Sequence, residues 1–177
     1  GVSVDIDRND VVRCAFRKIN GLNSDDLKGR LKVQFISKQG YAEAGIDGGG
    51  LFKEFMDDLV SNLFSEELGI FKATEEQLLV PNPAALDVER LELFRFAGKM
   101  LGKALYENLL VDPQFSGVFL NVLLHRSNHF DDLGMLDQQM YGSLRQLKHM
   151  DAASVAALGL TFEAQRSGAH ARPCARP

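Results

Sequence analysis

Cysteine is scarce in this chain: its 177 residues hold two, Cys14 and Cys174, near opposite ends. That excludes a disulfide-rich scaffold and a close pair of cysteine metal ligands. The two are read as free thiols in a reducing compartment, the cytosol or nucleus. Long apolar runs are missing as well. No window approaches the ~18–20 consecutive apolar residues that cross a bilayer, and no charged-then-apolar signal opens the chain. A basic surplus is also lacking. The net charge is −4, and residues after Glu163 bring Arg166, Arg172 and Arg176 without an acid, so the body up to Glu163 carries −7. A nucleic-acid-binding body shows a basic face or stripe, which this balance argues against. What remains is the composition of a soluble globular protein, long enough for one domain with a sizeable core.

Apolar spacing predicts the elements. A short helix follows Asn9 or Asp10 as N-cap, and Asn20–Ser24 breaks it. Ser24 or Asp25 caps one further turn through Leu27. Leu31, Val33 and Phe35 alternate with Lys32 and Gln34, the pattern of a half-buried strand. From Leu51 the period changes from 2 to 3.6. Leu51, Phe52, Phe55, Met56, Leu59, Val60, Leu63 and Phe64 form one apolar helical face. Strands on either side of residues 73–77 make a hairpin that Pro81 and Pro83 bring to a stop. A long helix runs over 88–110, with Gly98 and Gly102 allowing close packing on one side. Asp112-Pro113 signals the start of a helix that ends near His125. Asp137 caps a helix carrying Met140, Tyr141, Leu144 and Leu147. Residues 151–157 read as a small turn, and 158–162 as the start of a strand. The stretch 164–177 has no large apolar residue, so it is expected to be disordered and unrelated to the domain before it.

The run Glu43-Ala44-Gly45-Ile46-Asp47-Gly48-Gly49-Gly50 invites a phosphate-binding reading, which fails on spacing. Gly45 and Gly50 have the P-loop separation, but Leu51 and Phe52 stand where Lys and Ser/Thr are required, and Lys53 comes two places late. No glycine stands three places after Gly50, which removes GxGxxG. The glycines instead permit a tight turn, with Asp47 or Gly50 capping the next helix. Glu43 and Asp47 are then acceptors for local backbone amides rather than acid/base catalysts. His125, His129, His149 and His170 lack metal spacing and read as surface or helix-end residues. Cys14 lies in an apolar helical setting, the signature of a buried inert thiol, and Cys174 sits in the tail. Neither is a catalytic nucleophile.

These motifs together resemble the N-terminal lobe of a HECT-type ubiquitin ligase. The resemblance covers residues 5–162. It is carried by EAGIDGGGLFKEF (43–55), LGIFK (68–72), LLVPNPAA (78–85), FAGKMLGKALYENLLVD (96–112) and LDQQMYGSLRQL (136–147). The GGG and PNPAA forms look closest to ligases that elongate ubiquitin chains on proteasome-bound substrates. The resemblance implies an α+β fold, mainly helical, with small antiparallel β elements, comprising a partial HECT domain over 1–163 and a tail over 164–177. It also implies the family's chemistry. A conjugating enzyme docks on the N-terminal lobe, ubiquitin passes to a cysteine of the C-terminal lobe, and a substrate lysine attacks that thioester. Ubiquitin and a conjugating enzyme are the implied partners, and no cofactor or metal is required. The family's cysteine lies in a Thr-Cys-Phe/Met-Asn context, which these residues do not contain. The stretch that binds the conjugating enzyme would follow Phe162. An aromatic that holds a second ubiquitin in some members corresponds to Ala73 here. No active-site residue is therefore carried onto the chain, and the expectation is a truncated ligase, inactive alone. The alternative is a non-catalytic module that holds ubiquitin or substrate, or competes with the full-length ligase.

Overall fold

The computed structural model describes residues 1–37 and 50–161. The chain forms two compact units, each assembled from separated stretches. One comprises Gly1–Phe71 and Asp87–Pro113; the other comprises Lys72–Leu86 and the chain from Gln114 onward.

The first unit begins with strand β1 (Val2–Asp7), helix α1 (Val11–Ile19), the short helix α2 (Ser24–Lys28) and strand β2 (Leu31–Ile36). Two parallel strands cannot share a tight turn, and α1 and α2 supply the crossover between them. β1 and β2 pair in parallel with Val4 opposite Val33 and Ile6 opposite Phe35. The expectation of small antiparallel elements did not include this parallel pair. β1 was not anticipated, although Val2, Val4 and Ile6 alternate with Ser3, Asp5 and Asp7, and the buried positions follow that alternation. Asp10 is the N-cap residue of α1 but makes no side-chain cap bond. For α2 the cap is Asn23, whose Oδ1 accepts from the Asp26 amide at 2.8 Å.

Helix α3 (Gly50–Leu63) has Gly50 as its first described residue. Its apolar face is the expected one: Phe55, Met56, Leu59, Val60 and Leu63 are buried, and Lys53, Glu54 and Asp57 face solvent. Burying each large apolar side chain on this face contributes roughly 1.5–3 kcal/mol. Helix α4 (Val88–Tyr106) starts at Asp87, which accepts from the Arg90 amide at 2.9 Å. It buries Phe96, Ala97, Met100 and Ala104. Phe96 meets the Phe16 ring edge-on at 5.4 Å, and Phe71 lies between Phe64 and Phe94.

α4 is shorter than the apolar pattern predicts, because Asn108 adopts φ 55° and turns the backbone away. The Asn108 amide donates to Leu105 O and the Leu109 amide to Ala104 O, the paired bonds that satisfy a helix's last carbonyls. Gly98 and Gly102 do not mark a close contact. Both are exposed, and a Cβ on either would meet nothing within 4 Å. Lys103 does the joining instead. Its side chain is 1% exposed, and its ammonium donates to Gly29 O at 3.0 Å and to Glu107 Oε1.

The expected hairpin is present, β3 (Phe71–Ala73) with β4 (Leu79–Pro81), and from Lys72 it belongs to the second unit. Residues 111–116 do not start a helix at Asp112-Pro113. Residues 114–116 run alongside β4, with the Leu79 amide donating to Gln114 O and the Ser116 amide to Leu79 O. Helix α5 (Gly117–Leu123) therefore begins later, at a buried Ser116 whose hydroxyl accepts from the Phe119 amide. A 3-10 stretch over Phe130–Met135 leads to α6 (Gln138–Leu147), capped by Asp137 as predicted. Residues 152–157 are a helix, α7 (Ala152–Ala157), rather than a turn, because Asp151 caps it through the Ser154 amide. Residues 158–161 form no strand; Gly159 takes φ 58° and ends α7. The glycine run up to Gly49, Phe162 and the predicted tail lie outside the described residues.

Candidate interaction surface

The second unit buries little of its own apolar material. Its hairpin, α5, 3-10 stretch and α6 enclose an open cavity of about 490 Å³. Ala73, Val80 and Pro81 contribute from the hairpin, Phe119 and Val122 from α5, and Met140 from α6. Around it Leu120, Leu123, Leu124, Met135, Leu136 and Leu144 are all exposed. Exposed apolar patches of this kind mark places where other surfaces bind.

Local bonds hold this surface in shape. Phe115 and Phe119 stack edge-on at 5.4 Å along the entry to α5. A Cβ on Gly117 would sit 3.1 Å from Met135 Sδ, so a larger residue there requires the methionine side chain to shift. Phe130 packs on Tyr141, and the Lys148 ammonium lies 3.7 Å from the Phe130 ring centre, a cation–π contact. Tyr141 donates its hydroxyl to Asp131 Oδ1 at 2.9 Å. That bond, reinforced by burial and the carboxylate's charge, raises the Tyr141 pKa above its ordinary value.

The acidic groups are engaged in the same local way. Asp132 accepts from the His129 amide at 2.7 Å and Asp137 from the Met140 amide at 2.7 Å. Asp151 accepts the Ser154 amide and hydroxyl, and those bonds hold its carboxyl below the usual range. These carboxylates serve helix starts rather than proton transfer.

The residues singled out from sequence fall apart in space. His125 ends α5 at φ 55°, where its amide and that of Arg126 close the helix; His129 precedes the 3-10 stretch and His149 follows α6. All three are exposed. Cys14 is half-buried rather than buried, its thiol 3.9 Å from Asp5 O. It sits at the margin of the α1 face whose interior is Val11, Ala15 and Ile19. Ala73 lines the cavity. Glu43, Asp47, His170 and Cys174 lie outside the described residues. Among the described residues no group of His, Cys, Asp and Glu side chains is arranged to hold a metal ion, and no helix is long and apolar enough to cross a membrane. The surface offers shape and apolar contact. It brings no nucleophile and base together.

The cavity itself was not foreseen. Its signal was present in α5, where Val118, Phe119, Leu120, Val122, Leu123 and Leu124 are too densely apolar for one buried stripe.

Comparison with known proteins supplies the lineage. The chain is 38% identical over 145 residues to E3 ubiquitin-protein ligase UPL6 of Arabidopsis thaliana, covering 81% of this chain and 14% of that protein. It is 37% identical over 166 residues to ubiquitin-protein ligase E3B of Homo sapiens, covering 90% of this chain and 15% of that protein. It is 37% identical over 163 residues to E3 ubiquitin-protein ligase HUL5 of Saccharomyces cerevisiae, covering 89% and 18% respectively. The chain thus spans less than a fifth of the length of these relatives. The model of the HECT-domain (ubiquitin-transferase) family matches residues 57–172, from within α3 through both units. With a mainly helical α+β fold carrying that match, the chain belongs to the HECT-domain (ubiquitin-transferase) family.

Proposed function

We propose that this chain is the non-catalytic part of a HECT-type ubiquitin-protein ligase. Such a ligase takes ubiquitin from a conjugating enzyme onto a cysteine as a thioester and passes it to a substrate lysine. The observation that carries the reading is the family match over residues 57–172. Ubiquitin and a conjugating enzyme are the partners that follow from it. No residue here acts as the accepting cysteine, since neither Cys14 nor Cys174 stands in the family's Thr-Cys-Phe/Met-Asn context. A cytosolic or nuclear location is proposed on the two widely separated cysteines.

The test is incubation with activating enzyme, conjugating enzyme, ATP and ubiquitin, followed by gels with and without reductant. No reducible ubiquitin adduct should form on this chain. A reducible adduct that disappears in Cys14→Ser or Cys174→Ser would overturn the assignment.

A second reading is favoured by the exposed apolar side chains of α5 and α6: the chain acts as a binding module for ubiquitin or a substrate. NMR titrations with ubiquitin and with candidate substrates test it: shifts at residues such as Val122 and Met140 support this reading, and their absence in both titrations would overturn it.

A further inference from the structure

The first unit carries a second cavity, of about 500 Å³, with a different character. Lys28 from the end of α2, Arg30 and Lys53 from α3 bring positive charge to it, and Phe52, Tyr106 and Leu109 give it apolar walls. One acid, Glu107, lines it, and the buried ammonium of Lys103 is bonded to that carboxylate. The same ammonium lies 5.5 Å from the Phe52 ring centre and 5.6 Å from that of Tyr106. Glu107 is therefore neutralised from within, and the rings are held beside a fixed cation. Glu54, the next acid along α3, is paired with Arg8 at 2.8 Å. Neither Lys28 nor Lys53 has an ion-pair partner among the described residues. On a protein of net charge −4 this is a local reversal of sign.

We infer that this cleft docks an acidic peptide segment carrying a large apolar side chain. Its volume lies in the range of roughly 300–1,000 Å³ that suits small recognition elements. The lysines face carboxylates flanking the anchor, and Phe52, Leu109 and the 58%-exposed Tyr106 ring receive the anchor itself. Opposite charge of this kind steers encounter and selects among partners more than it adds affinity. The acidic balance of the rest of the chain repels a polyanion that extends beyond the cleft, which favours a short peptide over nucleic acid.

Fluorescence anisotropy tests this with the whole chain and a labelled probe, a short run of glutamates around one central phenylalanine. Binding is expected, weakening as salt rises from about 50 to about 300 mM. Lys28→Glu with Lys53→Glu should weaken it roughly tenfold. Tyr106→Ala should weaken it while leaving the salt dependence intact, and Lys72→Glu on the second unit should change nothing. Melting curves accompany each variant; if the double charge reversal unfolds the chain, Tyr106→Ala and the salt series decide. Equal binding of the same probe with glutamine in place of glutamate would refute the inference. So would affinity indifferent to Tyr106→Ala and salt, or equal binding of a single-stranded oligothymidine with the same variant sensitivity.

Discussion

Lys103 concentrates more structural consequence than any other charged residue in the described chain. It is a buried cation on α4 that donates to Gly29 O at the end of α2, so it fastens two elements far apart in sequence. Replacing it by Met keeps the aliphatic stem but leaves that carbonyl without its donor. Gly29 is half-buried, so the loss is that of one charge-assisted hydrogen bond, about 1–2 kcal/mol, which urea unfolding of Lys103→Met should register. Phe55, fully buried on α3, sets the larger limit. Phe55→Ala should cost about 3–5 kcal/mol, through lost burial and the cavity left behind. A variant with unchanged melting would contradict its place in the core. Phe55 was legible from sequence because its neighbours repeat at helical spacing. Lys103 was not: a lysine in an apolar helix reads as solvent-facing, and only the path of the chain brings Gly29 O within reach.

At the scale of elements, capping decides where periodicity stops being informative. The apolar face of α3 and the cap of α6 were readable, since spacing and a single aspartate suffice for both. The late start of α5 was not. Asp112-Pro113 has the right local chemistry, yet the pairing of Leu79 with Gln114 and Ser116 holds that stretch extended. α7 was missed because six residues give too short a period to recognise. Its aspartate yields a prediction with a definite sign. Asp151 has a folded pKa below its ordinary 3.8, so its contribution is present above that value and is lost as pH falls through the folded pKa. Protection of the Ser154 amide, measured against its intrinsic exchange rate, should fall on acidification below about pH 4, and Asp151→Ala should show the lower protection already at neutral pH. Asp87 at the start of α4 is lowered chiefly by the Arg90 amide and should behave alike. Tyr141 runs the other way. Its raised pKa means the bond to Asp131 supports the fold below the ordinary value of 10.0 and is lost as pH climbs through the folded one. Tyr141→Phe should flatten the alkaline limb of the stability profile.

Across the whole molecule, membership of the family was readable from ordered motifs, whereas division into two units was not. Composition does not change at Lys72, Asp87 or Gln114, where the chain passes from one unit to the other. The chemistry of a ligase had no motif to be read from, and among the described residues no nucleophile and base are brought together. On the binding-module reading, a partner docks at the apolar cavity beside α5. Val122→Asp should leave the fold intact, since that side chain is 57% exposed, while abolishing any ubiquitin-induced NMR shifts at the cavity. The pairing of β4 with the start of α5 also bears on synthesis. Leu79 leaves the ribosome well before Gln114 and Ser116, with all of α4 emitted in between. At roughly 5–20 residues per second that interval is about 2–7 s. Throughout it the hairpin is an unfinished edge, open to chaperones and to wrong partners, and slowing translation across α4 should lengthen that exposure.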